Sequence, residues 1–569
     1  MRLFATRLTA IAATLRRAWS PTSLFAASEP GVWYDPSDMS MMYQDAAGTT
    51  PVYMPGQGQI DPPVGLLLDT RLGLTRGPER FGDAAVVFVG ESYRVSPGVY
   101  RSRSSAGAYN LINFGGALTV GGWYELQFTI DSVAVVGSGI VLEGVTAQSA
   151  TVGFTTVGRK SVIVNAAQTY IGLKRSGGAC DYQISGVSLR ALAGNHAYQS
   201  TTTSRPTLSA RYNLLTNTGW SGAAAGSPGV APPGWALGFG TASITAVTQV
   251  GSDNAIQITA ANARLFFSQP FTAAINTTYS ISMLVVENTS MPMGQLLGLT
   301  GQPSGSTVAY YINGASATAS SVPSPGAWIE LRLLNGATAG TPEARFGLGA
   351  AGPATGVVAV ARPDVRVTND GVGLPPYQRV VDANTYDTAG FPLYLRFDGV
   401  DDWLQTANVD FSGTDVVAIA TAYRKMSDVS VGEVFALSGS PTATAGTFGF
   451  YAPEAAGGVA AAVFFARGAS SIISGQRLGT APISCVAGGW ASLSMPYMRY
   501  RINQGVSLTS SVATGGGNYG IYPLFIGRRN GTSFPFNGRL YSLLIRGAAT
   551  PDTTIAKVES YLNQKARIY

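Results

Sequence analysis

The stretch LRFDGVDDWL, residues 395–404, determines the fold class assigned to the C-terminal third of this chain. Apolar and polar residues alternate before an acidic, glycine-containing turn, which is typical of a half-buried β-strand that ends in a tight turn. A second alternating stretch, GRLYSLLIRG at 538–547, has the same half-buried character. The two strands bracket a Gly-rich region with many short apolar stretches, so the sequence predicts an antiparallel β-sandwich over 389–569.

Composition extends this prediction to the whole chain. A length of 569 residues indicates several domains. The 70 glycines and 31 prolines indicate short strands joined by many turns. Charged residues make up 12%, against roughly 25% in typical soluble domains, while 46% hydrophobic content is enough to fill several cores. We therefore predict a mainly β protein of tandem antiparallel β-sandwiches or jelly rolls, with an N-terminal anchor helix and a short C-terminal helix.

Several partners and chemistries are disfavoured. The net charge of +6 is modest and the basic residues are scattered, so no nucleic-acid partner is predicted. No stretch approaches the about 20 apolar residues that cross a bilayer, so no membrane insertion is predicted. One histidine, His196, and two cysteines, Cys180 and Cys485, make neither a catalytic triad nor a zinc site. No cofactor is predicted.

Changes in composition divide the chain into seven predicted segments. Polar or Gly/Pro-rich stretches at 199–210 and 369–388 have the composition of linkers. Period-2 strands with Gly/Asn/Ser turns fill the regions between them. The predicted segments are an anchor helix at 1–27, an extended attachment and intertwining segment at 28–91, a first sandwich at 92–198, a linker at 199–210, a second sandwich at 211–368, a linker at 369–388, and a C-terminal sandwich with a terminal helix at 389–569.

The first 19 residues contain an amphipathic helical pattern. Phe4, Leu8, Ile11, Leu15 and Trp19 recur at helical spacing on one face, and the Ser-Pro pair that follows ends the helix. An isolated amphipathic helix needs an apolar partner, so these five residues are predicted to dock the chain onto a larger assembly. The alternatives are contact with a membrane surface, cleavage as a targeting segment, or packing on the same chain.

Three motifs follow within 33–69: WYDPSD at 33–38, YQDAAGTTPV at 43–52 and PVGLLLD at 63–69. Their Asp-Pro and Asp-Ala-Ala-Gly sequences favour turns within an otherwise extended chain. Together they resemble a segment near the start of many tailed-phage structural proteins. The resemblance implies a virion component, with Trp33 and Tyr34 among the attachment residues.

The three predicted sandwiches carry resemblances of their own. The regions 92–198 and 211–368 resemble the carbohydrate-binding-module-like jelly rolls of phage fibres and secreted glycan-binding proteins. The region from the 395–404 motif to the terminal helix resembles a concanavalin A-like lectin/glucanase (laminin G-like) domain. Glucanases of that fold carry an E-x-D-x-x-E strand, which is absent between 390 and 547. The resemblance therefore implies a lectin-like module that lacks the catalytic carboxylates.

The C-terminal sandwich supplies the candidate binding residues, because sugars are held by aromatic faces together with planar polar side chains. For Trp403, packing in the core or at the sandwich edge is favoured over sugar binding. The sequence at Arg528–Asn530 indicates a hairpin turn before it indicates a glycan contact. Asp401 and Asp402 are weak calcium candidates, because a hard cation needs more oxygen ligands than this turn supplies. The carbohydrate-binding candidates are Trp403, Tyr497, Tyr500, Tyr519, Tyr522, Arg528 and Asn530.

Three functions compete on this basis. The first is a non-enzymatic structural fibre of a tailed-phage virion (tail, neck or head). It would be anchored to tail, neck or portal-region proteins through its N-terminus and would bind host cell-surface glycans. A homotrimer is expected from the extended 28–91 segment, without support from coiled-coil heptads. The second is a tailspike-type polysaccharide depolymerase that uses carboxylates alone. The third is a secreted bacterial lectin or adhesin.

Overall fold

The protein is mainly β, as the sequence predicted. The described chain folds into two compact units. One contains residues from 1–53, 62–208 and 394–565, and the other contains 54–61, 209–393 and 566–569. The computed structural model describes residues 19–56, 60–104, 109–115, 117–135, 139–146, 153–239, 241–275, 277–336, 338–368, 374–383, 385–440, 445–454, 461–478 and 483–569.

The first sandwich belongs to the first unit and packs a six-stranded sheet against a five-stranded sheet. Its core contains Tyr100, Phe128 and Tyr182, because alternate side chains of each strand point inward. The six-stranded sheet is ordered Gly158–Asn165, Trp123–Val135, Cys180–Leu192, Val99–Ser104 and Ser92–Ser96, with Arg76–Glu79 also paired to Cys180–Leu192; the five-stranded sheet is ordered Gly153–Phe154, Ile140–Glu143, Gly172–Arg175, Leu111–Asn113 and Val87–Val89.

The second sandwich lies wholly within the second unit. Trp220, Phe267 and Phe346 are among the largest fully buried side chains of its core. A short helix, Met293–Leu296, and a hairpin of Val380–Asp382 with Thr385–Tyr386 accompany it. Its seven-stranded sheet is ordered Ser243–Val250, Asp253–Ala263, Ala354–Val367, Thr278–Asn288, Trp328–Leu334, Thr307–Ile312 and Ala315–Ala317, and its four-stranded sheet is ordered Ala236–Phe239, Leu265–Pro270, Glu343–Leu348 and Leu297–Thr300.

The C-terminal sandwich belongs to the first unit, and aromatic pairs such as Tyr423–Phe450 fill the space between its two sheets. The nine-stranded sheet is ordered Met42–Tyr43, Leu66–Leu67, Ala197–Tyr198, Leu404–Asp410, Ile521–Ile526, Glu433–Leu437, Thr447–Tyr451, Ala461–Arg467 and Ile472–Leu478. The facing sheet contains Leu393–Asp398, Asn537–Arg546, Val416–Lys425, Ile483–Ser492, Tyr497–Ile502 and Leu508–Ser510, with Gly31–Tyr34 paired to Asn537–Arg546; a further strand, Thr207–Ala210, lies where the residue ranges of the two units meet.

The predicted C-terminal helix is present at Asp552–Ala566, with Ile555, Val558 and Leu562 buried on one face. The Glu559 carboxylate accepts hydrogen bonds from both Nε and Nη2 of Arg501, which lies on strand Tyr497–Ile502. This pair holds the helix on that sheet. None of the helices in the described ranges is both long and apolar enough to span a membrane. Short 3₁₀ turns occur at Pro21–Leu24, Met39–Met41, Asp83–Ala85 and Thr202–Ser204.

The segment predicted to be extended and to intertwine with other chains, 28–91, is instead built into its own chain. Gly31–Tyr34 pairs with Asn537–Arg546, and Arg76–Glu79 pairs with Cys180–Leu192. An unpaired, extended segment was expected, but each short strand here has its partner far along the sequence, where local pattern gives no information on pairing. Intertwining with other chains stays a prediction.

One buried aspartate explains why the last residue of the PVGLLLD motif is acidic. Asp69 accepts hydrogen bonds from the backbone N–H groups of Trp33 (2.9 Å) and Asn195 (2.8 Å) and from Nε of Arg71 (2.9 Å). The backbone N–H of Asp69 in turn donates to Nδ1 of His196 at 2.9 Å. Burial, followed by the charge of Arg71, lowers the pKa of His196 to about 3. His196 is therefore a neutral structural acceptor.

The two predicted linkers are also packed where they are described. In the first, 199–210, Gln199 and Leu208 are buried, and Nε2 of Gln199 donates to the carbonyl oxygen of Trp403. In the second, 369–388, Gln378 is fully buried and its Oε1 accepts from the backbone N–H of Asn213 at 2.6 Å. Polar composition misled the prediction, because these side chains cap buried backbone groups instead of facing water.

Candidate functional site

A groove on the outer face of the second sandwich joins aromatic and charged side chains. Strand Trp328–Leu334 alternates: Ile329, Leu331 and Leu333 are buried in the core, whereas Trp328, Glu330 and Arg332 face the opposite side and are half-buried. This is the period-2 consequence of an antiparallel strand with one solvated face. The three polar-face residues thus form one row along the strand.

The centre of this row is a fixed arginine. Arg332 donates from Nε and Nη2 to the two carboxylate oxygens of Glu330, at 2.8 and 3.1 Å. The hydroxyl of Ser280, on the neighbouring strand, donates to the same carboxylate at 2.6 Å. The guanidinium carbon lies 3.9 Å from the ring centroid of Tyr311 on the other side. These contacts hold the Arg332 guanidinium in one orientation. The hydrogen bond to Glu330 raises the pKa of Arg332.

A second arginine–carboxylate pair lies across the sheet on strand Ala354–Val367. Nε of Arg366 donates to Asp364 at 2.5 Å, and Nη2 donates to the carbonyl oxygen of Pro375 at 3.0 Å. The other Asp364 oxygen accepts from the backbone N–H of Gln378. Burial raises the pKa of Asp364, and the charge of Arg366 opposes that shift. Arg366 therefore ties the 374–376 segment to the edge of the groove.

The resulting cavity has a volume of about 480 Å³, within the range of small-ligand pockets. The turn at Asn313 forms one wall, and Oδ1 of Asn313 accepts from the backbone N–H of Trp328 at 2.9 Å. A half-buried indole beside a fixed guanidinium offers a flat apolar face and directional N–H donors. The lining comprises Ser280, Ser282, Asn313, Gly314, Trp328, Ile329, Glu330, Arg332, Arg366, Val367, Thr368, Leu374, Pro375 and Pro376.

Two of the predicted sugar-binding tyrosines are core residues. Tyr500 and Tyr519 are 0% and 2% exposed. The Tyr500 ring packs against Phe450, and the Tyr519 ring packs against Phe448, both between the two sheets. Neither ring has a face available for a sugar, so these two predictions were wrong.

Tyr497 and Tyr522 are half-buried but belong to opposite sheets of the C-terminal sandwich. The Tyr497 ring lies 5.3 Å from that of Trp490, and the Tyr522 hydroxyl donates to the carbonyl oxygen of Ala445 at 3.3 Å. Because they lie on different sheets, they do not contribute to a common site. Their roles in sugar binding remain individual predictions.

Trp403, Arg528 and Asn530 lie at one corner of the same sandwich. The Trp403 ring lies 5.8 Å from that of Phe525, and a Cβ atom added to Gly531 would approach the indole to 2.7 Å. The turn therefore covers the ring closely. Nη2 of Arg528 donates back to the Thr532 carbonyl at 3.1 Å, and Asn530 adopts a positive φ of 49°. These contacts are those of a packed hairpin turn.

The acidic turn does bring the calcium candidates together. One carboxylate oxygen from each of Asp398, Asp401 and Asp402 lies within 4.8 Å of the others. Burial, followed by the charge of Asp398, raises the pKa of Asp402 to about 7. Backbone N–H groups donate to Asp398 and Asp402, and the hydroxyl of Ser204 donates to Asp401 at 2.8 Å. These bonds already use part of each carboxylate, and calcium binding remains a prediction.

The predicted attachment residues have partners within the chain where they are described. The Trp19 ring lies 5.7 Å from Tyr561 of the C-terminal helix, and Nζ of Lys557 lies 4.4 Å from its ring centroid. Trp33 and Tyr34 are 6% and 0% exposed within the paired strand Gly31–Tyr34. The remaining helix positions, Phe4, Leu8, Ile11 and Leu15, lie outside the described residues.

Comparison with known proteins gives few matches. No protein-family model and no curated protein sequence matches the chain. Two solved structures of the CBM40 module of the Ruminococcus gnavus IT-sialidase, one bound to alpha2,3 sialyllactose, share 12% and 13% identity with it. Each match covers 27% of this chain and 97% of the module, with TM-scores of 0.22 and 0.21. Likeness at this level carries no argument, so the groove is interpreted from its own residues.

Proposed function

We propose that this protein is a non-enzymatic glycan-binding structural protein that holds surface saccharides in the groove of its second sandwich. The observation that carries the proposal is the row of Trp328, Glu330 and Arg332 on one solvated face. A pyranose ring has an apolar face that can stack on an indole and hydroxyl groups that accept from a guanidinium. Because Arg332 is already held by Glu330 and Tyr311, little side-chain entropy is lost on binding.

The carboxylates of the groove support binding over hydrolysis. Glycoside hydrolysis requires one carboxyl group that donates a proton and a second that acts as nucleophile or base. Both oxygens of Glu330 receive hydrogen bonds from Arg332, and those of Asp364 receive hydrogen bonds from Arg366 and the Gln378 backbone. A carboxylate engaged in this way orients its arginine, and the donated hydrogen bonds weaken it as a nucleophile or base toward a sugar. A depolymerase is the competing function.

The proposed setting is a fibre of a tailed-phage virion, exposed to host cell-surface glycans. Support comes from the resemblance of the 33–69 motifs to segments of tailed-phage structural proteins. The proposed partners are other tail, neck or portal-region proteins and further copies of this chain in a trimer. Particles assembled with a chain that lacks residues 1–28 should lose this protein, as measured by mass spectrometry of purified virions. Full retention would contradict attachment through this segment.

The groove is tested by Trp328→Ala in the full chain. On a saccharide array, loss of the indole face should weaken binding at least about tenfold, which corresponds to ~1.4 kcal/mol. Tyr497→Ala removes a half-buried aromatic ring from the C-terminal sandwich and tests the competing sequence prediction that Tyr497 binds sugar. If the groove is the site, this variant should bind like the unaltered chain.

A reducing-end assay on the same saccharides distinguishes binding from hydrolysis, and no new ends are expected. Release of fragments would favour the depolymerase. Loss of binding in Tyr497→Ala but not in Trp328→Ala would move the site to the C-terminal sandwich.

A further inference from the structure

The first sandwich carries another groove, at the ends of four neighbouring strands of its six-stranded sheet. It lies where strands Val99–Ser104 and Trp123–Val135 end and where Ser92–Ser96 and Cys180–Leu192 begin. Its cavity volume is about 920 Å³. Its lining includes Glu91, Tyr93, Arg103, Ser104 and Asp181. No part of the proposed function above uses these residues.

The register of the strands leaves one arginine available beside this groove. Arg101 binds Asp181 through Nε and Nη2, both at 2.8 Å, and this pairing lowers the pKa of Asp181. Arg103 lies directly opposite Asp181, yet its Nε is 3.4 Å from the carboxylate. The Arg103 side chain is 56% exposed. Arg101 therefore neutralises Asp181, and among the described residues the Arg103 guanidinium makes this one ion pair, which leaves most of its donors for another partner.

Two further groups of the groove indicate a ligand. The Ser104 residue is 3% exposed, and its hydroxyl has no hydrogen-bond partner among the described residues. A buried polar group left unpaired destabilises the fold, and a bound hydroxyl would supply the missing partner. Tyr93, on the edge strand, leaves 41% of its surface exposed. The groove thus combines an unpaired buried hydroxyl, a spare guanidinium and an accessible aromatic ring.

We propose that this groove is a second saccharide site and that it prefers a neutral sugar. Arg103 supplies donors and Glu91 supplies acceptors, a combination that suits vicinal hydroxyl groups. Because Arg101 neutralises Asp181 and Glu91 offsets the charge of Arg103, the groove has no net positive charge that would select an acidic sugar. The inference rests on the proposed function for the ligand class, but it rests on different residues. The chain then holds two glycan sites on two different sandwiches, and multivalent surfaces are bound with avidity.

The test uses the full chain in four forms: unaltered, Trp328→Ala, Tyr93→Ala with Arg103→Ala, and all three substitutions together. Each is titrated calorimetrically with neutral hexose oligosaccharides chosen from the saccharide array and with the uronic-acid counterparts of the same length. The Trp328→Ala form is expected to keep a residual neutral-sugar site, and the triple variant is expected to lose it, with affinity falling at least about tenfold. Arg159→Ala, at another strand of the same sheet, is the matched control and should bind normally.

The outcomes separate the two proposals. If Trp328→Ala alone abolishes all binding, the second site is overturned and the proposed function stands. If the unaltered chain binds no saccharide, the proposed function fails and this site fails with it. Tighter binding of the uronic-acid series to the Trp328→Ala form overturns the assignment of a neutral ligand. Slowed amide exchange in Val99–Ser104 on adding sugar, absent in the triple variant, locates the residual site directly.

Discussion

The first and second sandwiches both place arginines and carboxylates beside their grooves, but these side chains are paired differently in the two. In the second, Glu330 receives two hydrogen bonds from Arg332 and one from Ser280. In the first, Asp181 is fully engaged by Arg101, and Arg103 has only a 3.4 Å contact. Arginine is fixed in one groove and available in the other. A shared fold therefore does not imply a shared binding mode, because the mode depends on which outward positions carry the spare donor.

The sharpest way to separate the two units that hold these sandwiches is to neutralise a buried carboxylate in one of them. Asp69 with Arg71 and Asp364 with Arg366 are buried pairs with the same two-residue spacing, one in each unit. Asp69→Asn should destabilise the first unit by ~3–5 kcal/mol, because Arg71 stays buried without its charged partner. Asp364→Asn should do the same to the second unit. Differential scanning calorimetry should show each variant lowering a different transition, and a shared shift would contradict independent units.

Acid should distinguish the units next, because His196 is the sole histidine and lies in the first unit. Its pKa is lowered from 6.5 to about 3 by burial, so below pH 6.5 only the unfolded chain takes up the proton. The contribution of His196 to the free energy of unfolding is fully present above pH 6.5 and falls by ~1.4 kcal/mol per pH unit as the pH is lowered toward 3. Urea unfolding between pH 7 and pH 5 should show this loss for the first unit, and His196→Gln should flatten it. An equal slope in His196→Gln would contradict the assignment.

The smallest expected effect concerns the two groove arginines themselves. Arg332→Ala leaves Glu330 without its bidentate partner and should cost ~1–2 kcal/mol of unfolding free energy. Arg103→Ala removes a mostly exposed side chain and should change stability by less than ~0.5 kcal/mol. Chemical denaturation of both variants checks the difference. A comparable loss in Arg103→Ala would mean that this arginine is as firmly held as Arg332, and the contrast between the grooves would disappear.

The sequence predicted the mainly β fold and the terminal helix correctly, because both depend on local periodicity. The same periodicity could have removed one wrong site residue. Tyr497 and Tyr500 are three positions apart on one strand, so they face opposite sides, and only one of them could meet solvent. Both were nevertheless predicted to bind sugar, and Tyr500 is buried.

The groove of the second sandwich also had a sequence signal that was missed. Trp328, Glu330 and Arg332 occupy alternate positions between buried aliphatic residues, which marks a polar row on a solvated face. The contribution of Tyr311 and Arg366 could not be predicted, because strand pairing across the sheet brings them to this row. The role of Asp69 could not be predicted either, because its hydrogen-bond partners Trp33 and Asn195 are 36 and 126 residues away along the chain.

The pairing of Gly31–Tyr34 with Asn537–Arg546 has a consequence for how the chain is made. The side chains of Val32 and Trp33 cannot be covered by this pairing until residues 537–546 have been synthesised. The second sandwich draws its strands from 209–393 and has all its partners much earlier. Domains generally fold as units during synthesis, and distant pairings form slowly. The first sandwich, whose strands all lie within 76–192, and the second sandwich are thus expected to fold before Gly31–Tyr34 pairs with Asn537–Arg546.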